Sequence, residues 1–164
     1  MHKHARRLGL AAVVAALFFV DPHALFAQAK DDPFIGSWVL DRAKSEFSAN
    51  VPEKRRTIFE LTPDGKIKQI TETVVAAGST DLVEYTAKYD EKDVTISNSF
   101  LWTVSLKRIN PRTIERTGKV NGMVVETSTR TVSPDGQTLT ITTSGTNGGN
   151  EYSSTQVFTR EKAS

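Results

Sequence analysis

The sequence predicts an all-β protein, an antiparallel up-and-down β-barrel of about 8–10 strands preceded by an N-terminal signal peptide. Three observations predict the barrel. Residues 30–164 hold 20 threonines, and β-branched side chains favour pleated strands over helices. Turn signals recur at short intervals, with no stretch between them that reads as a crossover helix. Between the turns, apolar and polar residues alternate with a period of two, as a half-buried antiparallel strand requires.

The elements follow in order. Lys3, Arg6 and Arg7 give a basic head, Leu8 to Val20 is a run of 13 uncharged residues, and Ala27-Gln28-Ala29 supplies a small-x-small cleavage pattern. Residues 1–29 are therefore expected to be removed, leaving 30–164 as a single domain that is periplasmic or secreted. The apolar run is short for a bilayer of about 30 Å, so no stable membrane span is expected after cleavage. About nine or ten strands are predicted, at 35–41, 55–62, 66–75, 81–89, 93–98, 101–109, 112–120, 123–133, 137–145 and 151–160. Thr62-Pro63-Asp64-Gly65 and Ser133-Pro134-Asp135-Gly136 place proline and glycine where tight hairpins need them, and Asn121-Gly122 is a strong two-residue turn. Only Arg42 to Phe47 reads as helical, a single turn after the first strand. Every connection is short, so the meander is expected to close on itself and remove its sheet edges.

Charge and composition narrow the function. The chain has 21 basic and 19 acidic residues, and segment 1–29 holds Lys3, Arg6, Arg7 and Asp21, so 30–164 carries 18 of each. A neutral domain is not expected to bind nucleic acid, and Lys54-Arg55-Arg56 reads as a solvated strand edge. The three histidines (His2, His4, His23) all precede the cleavage site and there is no cysteine. Ser-His-Asp and Cys-His catalysis are thereby excluded, as is a zinc site of the usual nitrogen and sulfur ligands. No catalytic residue, metal or cofactor is expected. Asp31-Asp32 reads as a flexible start and Asp90 to Asp93 as a polar turn.

Asp32-Pro33-Phe34-Ile35-Gly36-Ser37-Trp38-Val39-Leu40 resembles the Gly-x-Trp first strand of the calycins, the group of lipocalins and fatty-acid-binding proteins. Leu40 to Phe47, Glu84 to Asp90, Leu106-Lys107-Arg108-Ile109 and Ser133 to Thr140 are similar to small exported bacterial lipocalin-like proteins. The resemblance implies a barrel whose base is plugged by Gly36 and Trp38, with the late-strand Arg160 over the indole as a cation–π partner. Two departures stand out. Residues 42–54 leave little room for the two-helix lid of fatty-acid-binding proteins, and Gln156-x-Phe158 stands where they carry Arg-x-Tyr.

The expected role is that of a binding module for a small, largely apolar molecule, with Tyr85, Trp102, Arg130, Gln156 and Phe158 nearest the ligand. A structural or interaction module with a filled core is the alternative, its protein partner unspecified. Arg130 shares a face with Val124, Glu126 and Val132, and Arg116 with Ile114. Glu126 is the expected partner of Arg130 across the lumen. Whether that face points inward stays open, because Met123, Val125, Thr127 and Thr129 compete for it.

Overall fold

The computed structural model describes residues 32–49, 51–76 and 78–162; the predicted signal segment and its cleavage site lie outside the described residues. Ten strands follow one another: β1 (Gly36–Phe47), β2 (Lys54–Leu61), β3 (Ile67–Val74), β4 (Thr80–Ala87), β5 (Val94–Ile96), β6 (Ser99–Asn110), β7 (Thr113–Val120), β8 (Met123–Val132), β9 (Thr138–Asn147) and β10 (Asn150–Arg160). They form one antiparallel sheet in the order β4-β3-β2-β1-β10-β9-β8-β7-β6-β5, so the chain's first and last strands pair in the middle and the sheet curls into a nearly closed barrel. Among the described residues there is no helix, and hence none long and apolar enough to cross a membrane.

The expected closure is incomplete. No ladder joins β4 to β5; the seam is held where Ser97 N donates to Glu84 O (2.8 Å) and Glu84 N donates to Ser97 Oγ (3.0 Å), and by Asn98 Nδ2 donating to Asp81 Oδ1 (3.4 Å). β5 is three residues long, too short to supply a full edge. The predicted helical turn at Arg42–Phe47 is also corrected, because those residues continue β1. Between Asp41↔Val157 and Glu46↔Thr155 the register slips, and the extra residues bulge outward. Ser45 Oγ replaces the interrupted ladder, donating to Asp41 O (2.7 Å) and accepting from Val157 N (2.9 Å). A bulge lets a strand absorb surplus residues without surrendering its pairing.

The apolar faces meet at one end. Phe34, Trp38, Leu40, Phe59, Ile67, Ile114, Val132, Leu139, Ile141 and Phe158 form the main core, and full burial of each large side chain contributes about 1.5–3 kcal/mol. Phe34 closes this base as a stopper, its ring centroid 5.9 Å from that of Phe59 at a 60° tilt. A smaller cluster of Tyr85, Ala87, Val104 and Leu106 lines the β4 and β6 walls near the seam.

Polar groups lock the base. Trp38 has no exposed surface and donates its indole N–H to Phe34 O (2.9 Å). Arg160 Cζ lies 4.0 Å from the Trp38 ring centroid, and its guanidinium donates to Gly136 O, Ile35 O and Pro33 O at 2.6, 2.7 and 2.6 Å. Gly36 adopts φ +129°, and a Cβ there would lie 2.6 Å from Arg160 Nη1. Glycine is thus required twice at this position, by backbone conformation and by the guanidinium. Asp32, expected in a flexible start, is instead buried. Its carboxylate accepts from Phe34 N (3.0 Å), Tyr89 OH (2.8 Å) and the Arg108 guanidinium, while Arg108 Cζ stacks 3.9 Å from the Tyr89 ring centroid. Burial, and then the Asp32 charge, push the Tyr89 hydroxyl's pKa up, so it remains a donor.

Candidate functional site: a basic layer inside the barrel

Above the apolar base the inward positions turn polar, and the question of which face of β8 points inward is answered by the register. Ile114↔Arg130 and Arg116↔Ser128 pair across β7 and β8, and Arg130↔Ile141 and Ser128↔Thr143 pair across β8 and β9. Arg116, Ser128, Arg130, Val132 and Thr143 are all buried, so this set faces the lumen and Thr127, Thr129 and Thr131 face out. A slip at Gly118/Lys119 ends the alternation near the mouth, which is why Met123 and Val124 follow no simple parity with the rest of the strand.

Arg130 is 5% exposed. Its Nη1 donates to Gln69 Oε1 on β3 and, at 3.2 Å, to Tyr85 OH on β4; the Tyr85 hydroxyl itself donates to the same Gln69 oxygen. These partners are neutral. Burial lowers the pKa of Arg130, and the nearby Arg116 charge acts in the same direction. Its Nε has no partner.

Glu126, expected opposite Arg130, pairs with Arg116 instead. Arg130 lies four residues from Glu126 on one strand, a span of about 13 Å, whereas Arg116 is a diagonal neighbour. The residue directly opposite Glu126 is Gly118, whose missing side chain opens the path between them. An added Cβ there would lie 3.4 Å from Glu126 Cβ and 3.5 Å from Arg116 Nη1. From the other side Tyr152 OH donates to Glu126 Oε2 (2.6 Å), its ring crossing Gly145, where a Cβ would lie 2.8 Å from the phenol. Burial, then this bond, raise the Tyr152 pKa.

A third cation enters from β2. Lys54-Arg55-Arg56 is only in part the solvated edge expected of it: Arg56 points outward to Glu161 (2.7 Å), but Arg55 points inward, donating to Gln156 Oε1 (2.6 Å) and Thr73 Oγ1 (3.1 Å). Burial lowers its pKa too. Three guanidiniums thus reach the lumen, and among them the only hydrogen-bonded carboxylate is Glu126.

The residues singled out from sequence fall in different places. Tyr85 and Arg130 are in direct contact, and Gln156 joins the layer through Arg55. Trp102 stands over Gly118 at the mouth side, 3.3 Å from where a Cβ would be. Phe158 has no exposed surface and lies in the sealed base. Gln69, Arg55 and Ser128 are missing from the sequence-derived set, although strand parity could have found Arg55, which shares its phase with Thr57, Phe59 and Leu61.

Two concavities adjoin this layer. One, of about 620 Å³, runs over the outward-facing Thr127, Ser144, Thr146, Glu151 and Ser153; the other, about 500 Å³, follows the seam beside Tyr85 and residues 95–100. The first also takes in Glu126 and Tyr152, so the Arg116–Glu126 pair borders it. The mouth carries exposed apolar side chains, with Phe100 97% exposed beside Leu101, Met123 and Val124. Among the described residues no group of three or more His, Cys, Asp or Glu could hold a metal ion.

No family model matches the sequence, and no curated protein matches it. The fold has solved counterparts. A mutant of the fluorescent protein UnaG is similar over 80% of this chain and 98% of its own, with a TM-score of 0.55 and 9% identity. As-p18, an extracellular fatty acid binding protein, is similar over 79% of this chain and 97% of its own, with a TM-score of 0.53 and 13% identity. At such identities the likeness concerns the fold alone: this chain folds as a ten-stranded calycin-type barrel.

Proposed function

We propose that the barrel binds a small amphipathic anion, holding its acidic group at the Arg55–Arg116–Arg130 layer and its apolar body against Trp102, Val104, Leu106 and the seam. One observation carries this reading. Arg130 is buried, it is bonded only to neutral oxygens, and one of its nitrogens has no partner. An uncompensated buried charge costs several kcal/mol, roughly the idealised Born penalty after relaxation, and an anionic ligand is the natural offset. Binding is favoured over catalysis because no nucleophile–base pair faces the layer. The basic head and cleavage pattern of residues 1–29 support action outside the cytoplasm, in a periplasmic or secreted setting.

The test is a fluorescence titration, read on the tryptophans, of the protein with dodecanoate against dodecanol. Saturable binding of the acid, weakened at least tenfold in the alcohol and in Arg130→Met, is expected. Equal affinity for acid and alcohol would remove the anion from the proposal. The filled, sealed base favours one second reading, a barrel that serves as a rigid interaction module; it gains if neither compound binds and a partner is captured at the exposed mouth.

A further inference from the structure

Among the described residues four buried side-chain polar atoms lack a partner: Ser37 Oγ at the base, and Arg116 Nε, Ser128 Oγ and Arg130 Nε in the lumen. The last three are not scattered. Arg116 is the register partner of Ser128, and Arg130 is the next inward position along β8. Neighbouring inward side chains stand about 4.5–5.5 Å apart across strands and about 7 Å apart along one. Each of the three residues is more than nine-tenths buried. In folded proteins buried polar atoms are nearly always paired, so three orphans on adjacent positions mark one place where partners are missing.

Their chemistry is uniform. Two are guanidinium N–H donors and the third is a hydroxyl free to donate, so the absent partner is an acceptor. Charge narrows it further. Of Arg55, Arg116 and Arg130 only Arg116 meets a carboxylate, and Asp81, the other acid whose charge reaches Arg55, is exposed and bonded to Asn98. The layer is short of two negative charges. A planar carboxylate brings one charge and two oxygens; a phosphate monoester brings nearly two charges and three terminal oxygens at neutral pH.

Resting on the proposed binding of an amphipathic anion in this lumen, we infer that the preferred head group is a phosphate monoester, seated against Arg116, Ser128 and Arg130, and that the ligand class is an alkyl phosphate. Arg55 and the neutral Gln69 and Tyr85 border the same layer.

The experiment compares octyl phosphate, octanoate and octanol by calorimetry on the purified protein at pH 8 and pH 5. At pH 8 octyl phosphate is expected to bind at least about tenfold more tightly than octanoate, one added charge-assisted hydrogen bond being worth that factor. The advantage shrinks toward pH 5, because the second phosphate ionisation lies near pH 6. Ser128→Ala narrows the phosphate-to-carboxylate ratio while leaving the melting temperature of the unliganded protein unchanged or raised, since it deletes a hydroxyl with no partner. A purely structural Ser128 would lower that temperature. Equal affinity for phosphate and carboxylate at pH 8 overturns the phosphate assignment and leaves anion binding standing. Tightest binding of octanol overturns both.

Discussion

Replacing Arg130 by methionine should make the unliganded barrel more stable while weakening anion binding at least tenfold. The guanidinium now makes two bonds, to Gln69 Oε1 and Tyr85 OH, and hydrogen bonds to charged groups contribute about 1.5–3 kcal/mol each. Neither partner is stranded by the change, because Tyr85 OH already donates to Gln69 Oε1. Against that loss stands the removal of a buried cation with no carboxylate bonded to it and a repelling neighbour in Arg116, set against only a weaker attraction from Glu126. Exchanging buried charge for apolar volume is often neutral or stabilising by about 1–4 kcal/mol. Methionine fills the space of the alkyl stem and adapts to an irregular site. We expect a gain of about 1–3 kcal/mol, a rise of about 4–12 °C at about 4 °C per kcal/mol for a domain of this size. Thermal unfolding followed by circular dichroism, on protein shown to be ligand-free, measures it. A fall in melting temperature of about 4 °C or more would mean that Arg130 props the lumen open as a structural element, and the argument from uncompensated charge would fail.

The base should respond in the opposite sense. Arg160→Met removes three bonds to carbonyl oxygens and the indole contact, and should cost about 3 kcal/mol or more in urea unfolding, with Arg160→Lys restoring less than half of it. Gly36→Ala sets a Cβ 2.6 Å from Arg160 Nη1 at φ +129° and should cost about 1–3 kcal/mol by the same measurement. At the 62–66 turn, Lys66 and the Thr62 hydroxyl hold the Asp64 pKa down to about 2, from 3.8. A depressed folded-state pKa means its contribution is complete above about pH 4 and fades as pH falls toward 2; Asp64→Asn should flatten that stretch of the stability–pH curve, and an unaltered curve would show that the exposed turn contributes nothing.

Alternation and turn chemistry made the fold readable. Thr62-Pro63-Asp64-Gly65, Asn121-Gly122 and Ser133 to Gly136 all sit between strands where their backbone preferences place them, and Gly65, Asn121, Gly122 and Gly136 all have positive φ. What escaped was whatever depended on surplus residues or distant partners. Arg42 to Phe47 carries no strand alternation because its residues bulge, and only Ser45 bonding to Val157 on β10 discloses that the strand continues. Asp32 looks like an acidic tail until Tyr89 and Arg108, more than fifty residues away, close on it. In the lumen, parity could bring Arg130 and Arg55 inward, but no local pattern states that Gly118 lets Arg116 take Glu126. That pairing leaves Arg130 with no acid bonded to it, and it is a property of the β7–β8 register.

The contrast between the two halves of the barrel bears on why the cations are tolerated. At the base the chain gives Asp32 three donors, Arg160 three acceptors and Trp38 its acceptor, so this sequence satisfies the charged groups and the indole where it closes a plug and leaves one neutral hydroxyl, Ser37 Oγ, unpaired there. In the lumen the same chain leaves three atoms on neighbouring inward positions unpaired, two of them on guanidiniums. A difference so localised does not arise from poor packing in general. The stabilisation concentrated in the base lets the lumen carry an unfavourable charge without unfolding the barrel, much as strained sites are sustained by their surroundings. A bound anion then stabilises the fold by mass action, about 2.7 kcal/mol at one hundred times its dissociation constant. That is the size of the gain expected from deleting the charge in Arg130→Met, so ligand and mutation act on the same electrostatic imbalance, and the mutant, partly relieved, should gain less from the ligand than the unaltered protein does.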